Sequence, residues 1–211
     1  MERFKWLTIR FALEEEEAPK RTISPTVDLL WEKELEKRAL FDGKLFSVSK
    51  VLGKTVYGYF VPYRQWIAQV QNPSLKKELQ IVSAGLSGLI RQNGKILAGK
   101  RSQQVTLYKG AVDLAPSGTV DRLDLRELLE DELKEETGLQ GLQNVVQVGA
   151  LYDRESDHVE FVIRADLEGE PKPNLAEYEW LKWFTSAELL AREDLTPICR
   201  FMIESQSKNA L

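Results

Sequence analysis

Apolar and polar residues follow two rhythms along this chain, and the clearer ones lie in its second half. Ile81 to Ile90 and Lys95 to Lys100 read as strands joined across Asn93-Gly94, the strongest short hairpin signal. Gly110 to Asp113 and Ser117 to Asp121 read as short strands or loop around Pro116-Ser117-Gly118. An amphipathic helix then runs from Leu125 to a C-cap at Gly138. Val145 to Tyr152, His158 to Leu167 and Tyr178 to Trp183 read as further strands, with Pro171-Lys172-Pro173-Asn174 as a loop between them. Ser186 to Arg192 and Pro197 to Gln206 carry helical spacing, with Ser186 as candidate cap. In the first half, Val27, Leu30, Trp31 and Leu35 predict a helix over Val27 to Leu40, stopped by Phe41-Asp42-Gly43. Leu45 to Leu52, Val56 to Val61 and Gln65 to Val70 look like short strands. Asn72-Pro73-Ser74 opens a helical turn through Leu79, and Glu14 to Glu17 with Ala18-Pro19 is a charged loop. Strands, helix, strands, helices in this order imply an α/β/α sandwich with a mixed sheet over 81–211, preceded by a mixed α/β extension over 1–80.

The polar positions of the Leu125 helix carry the first chemical signal. At about 100° per residue from Leu125, the leucines Leu125, Leu128, Leu129 and Leu133 gather on one side of the helix as a single apolar stripe. Glu132 and Glu136 land in the middle of that stripe, and Glu135 at its edge. Glu127, Glu130 and Lys134 point the other way, toward water. A carboxylate turned toward a core costs several kcal/mol unless it is protonated, paired or bound to a cation. No Lys or Arg is interleaved on that face, so these hard oxygen donors ask for a divalent ion, Mg²⁺ or Mn²⁺.

Composition narrows what this chemistry can be. The 211 residues, 43% hydrophobic and 29% charged, suit one cored domain with an extension. A net charge of −4 gives no electrostatic reason to expect nucleic acid as a partner. No run is long enough to span a membrane, and Met1-Glu2-Arg3-Phe4-Lys5-Trp6 lacks the apolar core of a signal peptide, so the cytoplasm is the expected compartment. A single cysteine, Cys199, and a single histidine, His158, exclude an internal disulfide and a Cys/His zinc site. They also exclude any Ser-His-Asp machinery not built on His158. Cys199 reads as a small buried hydrophobe.

Glu132-Leu133-Lys134-Glu135-Glu136-Thr137-Gly138-Leu139 resembles the end of the Nudix box, G-x₅-E-x₇-R-E-U-x-E-E-x-G-U with U aliphatic. Leu97 to Ser102 with Leu114-Ala115-Pro116-Ser117-Gly118 resembles the strand and loop leading into it. Glu177 to Phe184 with Ala187-Glu188-Leu189 resembles the closing strand and helix. The box Arg is Asp131 here. At full length Ser117 and Leu123 fall on the Gly and first Glu; a one-residue gap gives Gly118 and Asp124 instead, and restores both residue types.

The resemblance implies a Nudix-type α/β/α sandwich and a pyrophosphohydrolase acting on a nucleoside diphosphate derivative. Glu132, Glu135 and Glu136 would be metal ligands for Mg²⁺ or Mn²⁺, and Glu135 and Glu136 catalytic. Glu177, with Glu179 and Asp157 behind it, would be the further acid this fold takes from a loop near its closing strands. Arg101 and Gly118 match substrate-contacting positions. Trp31-Glu32, Leu40-Phe41-Asp42-Gly43 and Tyr63-Arg64-Gln65 resemble the segment preceding the domain in UDP-sugar pyrophosphatases. That implies a nucleoside diphosphate sugar substrate, with Tyr63 and Arg64 touching it beside Trp66, and an extension that serves as a homodimer arm or a lid. The alternative is a Nudix-fold nucleotide-binding module that has lost catalysis, to which Asp131 points.

Overall fold

The computed structural model describes residues 2–37 and 40–208. In chain order its elements are β1 (Phe4–Thr8), β2 (Ala12–Glu15), α1 (Thr26–Leu35), β3 (Lys44–Leu52), β4 (Thr55–Pro62), α2 (Tyr63–Gln71), a 3-10 turn (Pro73–Leu75), α3 (Lys76–Leu79), β5 (Ser83–Gln92), β6 (Lys95–Arg101), β7 (Val112–Leu114), β8 (Ser117–Thr119), α4 (Leu125–Thr137), β9 (Gln143–Asp153), β10 (His158–Asp166), β11 (Tyr178–Phe184), α5 (Ser186–Leu190) and α6 (Pro197–Lys208). The strands join one mixed sheet whose longest path is β1-β9-β10-β5-β3-β4-β2. At its centre β10 runs parallel to β5, from His158 opposite Ser83 to Asp166 opposite Arg91.

A fork in this sheet creates the site. β5 and β6 leave a tight turn at Asn93-Gly94, both residues with positive φ (51° and 78°), and pair only at Arg91–Ile96 and Gln92–Lys95. Beyond that they separate. β5 takes β8 as its neighbour, whereas β6 takes β7 and β11. A cleft of about 1790 Å³ has walls from both arms.

Each face of the sheet is covered by helix. The leucines of α4 pack with Ala84, Leu86, Phe161 and the extension residues Phe46 and Val48. On the opposite side, Leu189 of α5 and Ile198, Cys199, Met202 and Ile203 of α6 cover Leu89, Leu151 and Val162. A third cluster joins Val27 and Trp31 of α1 to Trp66, Ile67 and Ala68 of α2. The buried Gln69 fastens this layer to the segment entering β5: its amide donates to the carbonyl of Ile81 (2.8 Å) and accepts from its N–H (3.0 Å).

Local structure departs from the sequence reading in the first half. Gln65 to Val70, expected as a strand, lies within α2, because a run this short fits either period and its packing against α1 decides for helix. The Glu14 to Glu17 loop is partly strand, since β2 pairs in parallel with β4 at the sheet edge, where exposed charge is tolerated. The Val27 to Leu40 helix is shorter: α1 ends at Leu35, Glu36 and Lys37 form a turn, and Arg38 and Ala39 lie outside the described residues. Thr185, not Ser186, caps α5, in a reciprocal capping box with Glu188. β1 had no sequence signal and forms by pairing with β9.

Candidate active site

The carboxylate helix α4 is closed at both ends by its own sequence. Asp124 caps the N-terminus, accepting from the N–H groups of Arg126 (3.0 Å) and Glu127 (3.1 Å), and Gly138 ends it at φ 70°. Asp124 thus spends its carboxylate on the helix start. The leucine stripe then fixes the rotation of the helix. Glu136 is buried, Glu132 half-buried and Glu135 exposed at the rim, and all three line the cleft. Close approach of β8 holds Glu132 in place: a Cβ on Gly118 would stand 2.3 Å from Glu132 Oε1. A side chain there would require the Glu132 carboxylate to move.

The electrostatics of this wall are unusual for protein carboxylates. Burial raises the pKa of Glu132 to about 8, reinforced by Glu135, Glu177 and Asp121 and opposed by Arg122. Burial also lifts Glu136 well above the usual carboxylate range, with Glu132 and Glu177 adding to the effect; a hydrogen bond from the Ser117 N–H (3.0 Å) and the charge of Arg101 pull back. Glu177, in the turn before β11, completes the group, and among the described residues none of these four glutamates forms an ion pair. Nor do any three His, Cys, Asp or Glu side chains among the described residues close into a ready-made metal cage. What the cleft offers is a set of converging, under-compensated oxygen donors. That donor chemistry fits a hard divalent cation.

Arg101, at the end of β6, faces this group. Its Nη1 donates to Ser117 Oγ (3.1 Å) and its Nε to the carbonyl of Leu107 (3.2 Å). Burial disfavours its charge, but Tyr178, Asp113, Glu136 and Glu177 outweigh that and raise its pKa. Beneath it the buried Tyr178 hydroxyl donates to the Leu114 carbonyl (3.1 Å) and meets Ser117 Oγ at 3.2 Å.

The structure brings Glu132, Glu135, Glu136, Glu177, Arg101 and Gly118 to one cleft. Tyr63 lines the same cleft from the extension, packed at 5.2 Å from Trp66 and with its hydroxyl 3.2 Å from Thr106. Arg64 is held outside it between Asp28 (3.6 Å) and Asp42 (3.5 Å). Glu179 pairs with Lys100 (2.7 Å), and Asp157 pairs with Lys76 and accepts from the Tyr152 hydroxyl (2.5 Å). Two cleft residues, Asp113 and Glu160, and the buried Tyr178 that supports Arg101 carried no sequence signal, because strand pairing alone assembles them. Asp131, standing where the box Arg is expected, pairs with Arg122 on the loop before the helix (2.6 Å).

Residues 80–203 match the model of the NUDIX domain family. No curated protein matches the chain. Among solved structures, the Deinococcus radiodurans protein DR0079 aligns with a TM-score of 0.56 at 16% identity, covering 77% of this chain and 98% of its own. That coverage extends past the matched family segment into the N-terminal extension. A MutT NUDIX hydrolase from Burkholderia pseudomallei aligns with a TM-score of 0.45 at 27% identity, over 57% of this chain and 95% of its own. The NUDIX domain of Shewanella oneidensis NrtR, solved with ADP ribose, aligns at 0.47 and 17% identity, over 61% and 88%.

Proposed function

The chain belongs to the NUDIX domain family, and from that premise we propose that it hydrolyses the diphosphate bridge of a nucleoside diphosphate joined to a second group, a sugar by preference. The observation that carries this reading is the cluster of Glu132, Glu136 and Glu177 around a cleft, without an ion-pair partner among the described residues, facing Arg101. The cleft's about 1790 Å³ exceeds the volume of a usual small-ligand site, which leaves space for both halves of such a substrate. The sugar preference rests on the extension residues that resemble those of UDP-sugar pyrophosphatases.

Glu132, Glu135 and Glu136 are the residues that would hold Mg²⁺ or Mn²⁺, which supplies positive charge against the diphosphate oxygens and acidifies water. The chain's own residues do the rest. Arg101 has five N–H donors, two of them engaged with Ser117 and Leu107, and the remainder serve phosphate oxygens bidentately. Glu177, which forms no ion pair among the described residues, takes the proton from the attacking water as the new P–O bond forms. The bridging P–O bond breaks, and the departing phosphate carries off its electron pair. Tyr178 and Ser117 keep Arg101 and Glu136 in register.

The test is a panel of nucleoside diphosphate compounds with Mg²⁺ or Mn²⁺, read by product mass. Glu136→Gln and Glu135→Gln should each lower kcat/KM by at least about 100-fold, roughly 2.7 kcal/mol of transition-state stabilisation, with melting unchanged. Full turnover in either variant would defeat the assignment. A binding module without catalysis would instead bind members of the panel and release no phosphate-ester product.

A further inference from the structure

Away from the glutamate wall, the floor of the cleft is built by the parallel pair β5 and β10, and it carries the chain's one histidine. His158 is hydrogen-bonded at both ring nitrogens: Nδ1 lies 2.8 Å from Ser83 Oγ and Nε2 2.6 Å from Glu160 Oε2. A carboxylate only accepts, so Nε2 carries the hydrogen. The other oxygen of Glu160 accepts from Ser87 Oγ at 2.5 Å. This order is the reverse of a hydrolytic triad, where the acid orients Nδ1 and the hydroxyl meets Nε2. Ser83 is therefore a tether and not a nucleophile.

The row lies close against Gly85 of β5. A Cβ on Gly85 would stand 2.7 Å from Glu160 Oε2 and 2.9 Å from both Cε1 and Nε2 of His158. The imidazole and the carboxylate thus occupy the space directly above the Gly85 backbone, where any other residue would put its side chain. Glu160 is 8% exposed at its side chain and fully bonded, whereas His158 keeps 24% of its side chain open. With both ring nitrogens already hydrogen-bonded, the open part of His158 offers the cleft carbon and not a free ring nitrogen.

The register fixes how far this surface lies from the glutamates. Ser87 pairs with Ser117, whose N–H binds Glu136, and His158 pairs with Ser83. Four residues of strand separate the two points, about 13 Å at the usual rise, which is the scale of an extended nucleoside diphosphate. We propose that the His158 imidazole, locked by Ser83 and Glu160 over Gly85, is the platform on which the planar base of the substrate lies while its diphosphate reaches Arg101 and the α4 glutamates. This rests on the diphosphate reading above and adds the position of the base. Base–ring stacking is tolerant of base identity, so the platform selects for a flat ring and not for one nucleobase.

The experiment is equilibrium binding of ADP, UDP and ribose 5-diphosphate, which lacks the base, to the wild type, His158→Ala, His158→Phe and His158→Gln. Wild type should bind ADP and UDP about 10-fold or more tighter than ribose 5-diphosphate. His158→Ala should lose that advantage and leave ribose 5-diphosphate unchanged. His158→Phe, which keeps a ring and no nitrogen, should retain most of it, and His158→Gln, which keeps polar atoms and no ring, should not. If His158→Phe melts early, His158→Tyr, whose hydroxyl can donate to Glu160, takes its place. Equal weakening of all three ligands in His158→Ala, or wild-type discrimination in His158→Gln, overturns the proposal. So does a wild type that binds the base-free ligand as tightly as ADP and UDP. Base-dependent binding through His158 without cleavage of any diphosphate would leave the platform standing and remove the hydrolase reading instead.

Discussion

Asp113 is one side chain through which pH acts on the stability of the fold. It is 7% exposed on β7, and one oxygen accepts from both the Leu114 N–H (2.9 Å) and Thr196 Oγ1 (2.9 Å). Burial raises its pKa from 3.8 to about 6, against the pull of Arg101 and Thr196 and with help from Glu160. The folded chain therefore holds a proton that the unfolded chain has released between these values. The associated stability is complete below the unfolded pKa and is lost as pH rises through about 6. Asp113→Asn keeps an acceptor oxygen and carries no charge, so its melting temperature relative to wild type should climb from pH 5 to pH 8. A difference that stays flat across that range would remove Asp113 from the account. The glutamates of α4 were readable in the sequence because spacing of three and four residues on one helix places them together without tertiary information. Asp113, Glu160 and Tyr178 were not, because they sit on three strands whose neighbours are set by the fork between β5 and β6.

At the scale of elements, α4 and β8 act as one unit through the contact of Gly118 with Glu132. Gly118→Ala places a methyl group 2.3 Å from a carboxylate oxygen. That oxygen ends a flexible side chain, so the carboxylate and not the backbone gives way. Melting should change by less than about 1 kcal/mol, while kcat/KM in the phosphate-release assay should fall by about 10-fold or more. An unchanged rate would mean that the position of Glu132 is immaterial. This contact also bears on how the box is aligned: the close approach falls on Gly118, the residue the one-residue gap selects. Element type was legible where periodicity ran long, as in α4, β9 and β10. It failed over Gln65 to Val70, where only the neighbouring α1 distinguishes helix from strand.

For the whole molecule, adding a divalent cation is the broadest test. Glu132, with its pKa raised to about 8, must lose a proton before it can ligate, and binding to the folded state alone raises stability. Mg²⁺ added to chelator-treated protein should therefore raise the melting temperature more at pH 8.5 than at pH 6. Equal shifts at both pH values would argue against carboxylate ligation. The N-terminal extension does more than precede the sheet. Phe46 and Val48 share the α4 core, and Tyr63 faces the cleft beside Thr106. Hydropathy marked α1, β3 and β4 of this region, but missed α2 and β2 and gave no hint that β1 would cross the molecule to β9.

That crossing matters during synthesis. Arg3 grips Asp153 with two nitrogens, at 3.0 and 2.8 Å, and reaches Glu155 at 2.9 Å. A ribosome makes this segment well before its partner. A nascent chain stalled before β9 emerges must carry Phe4, Trp6 and Leu7 uncovered, which is the kind of sticky stretch that chaperones grasp.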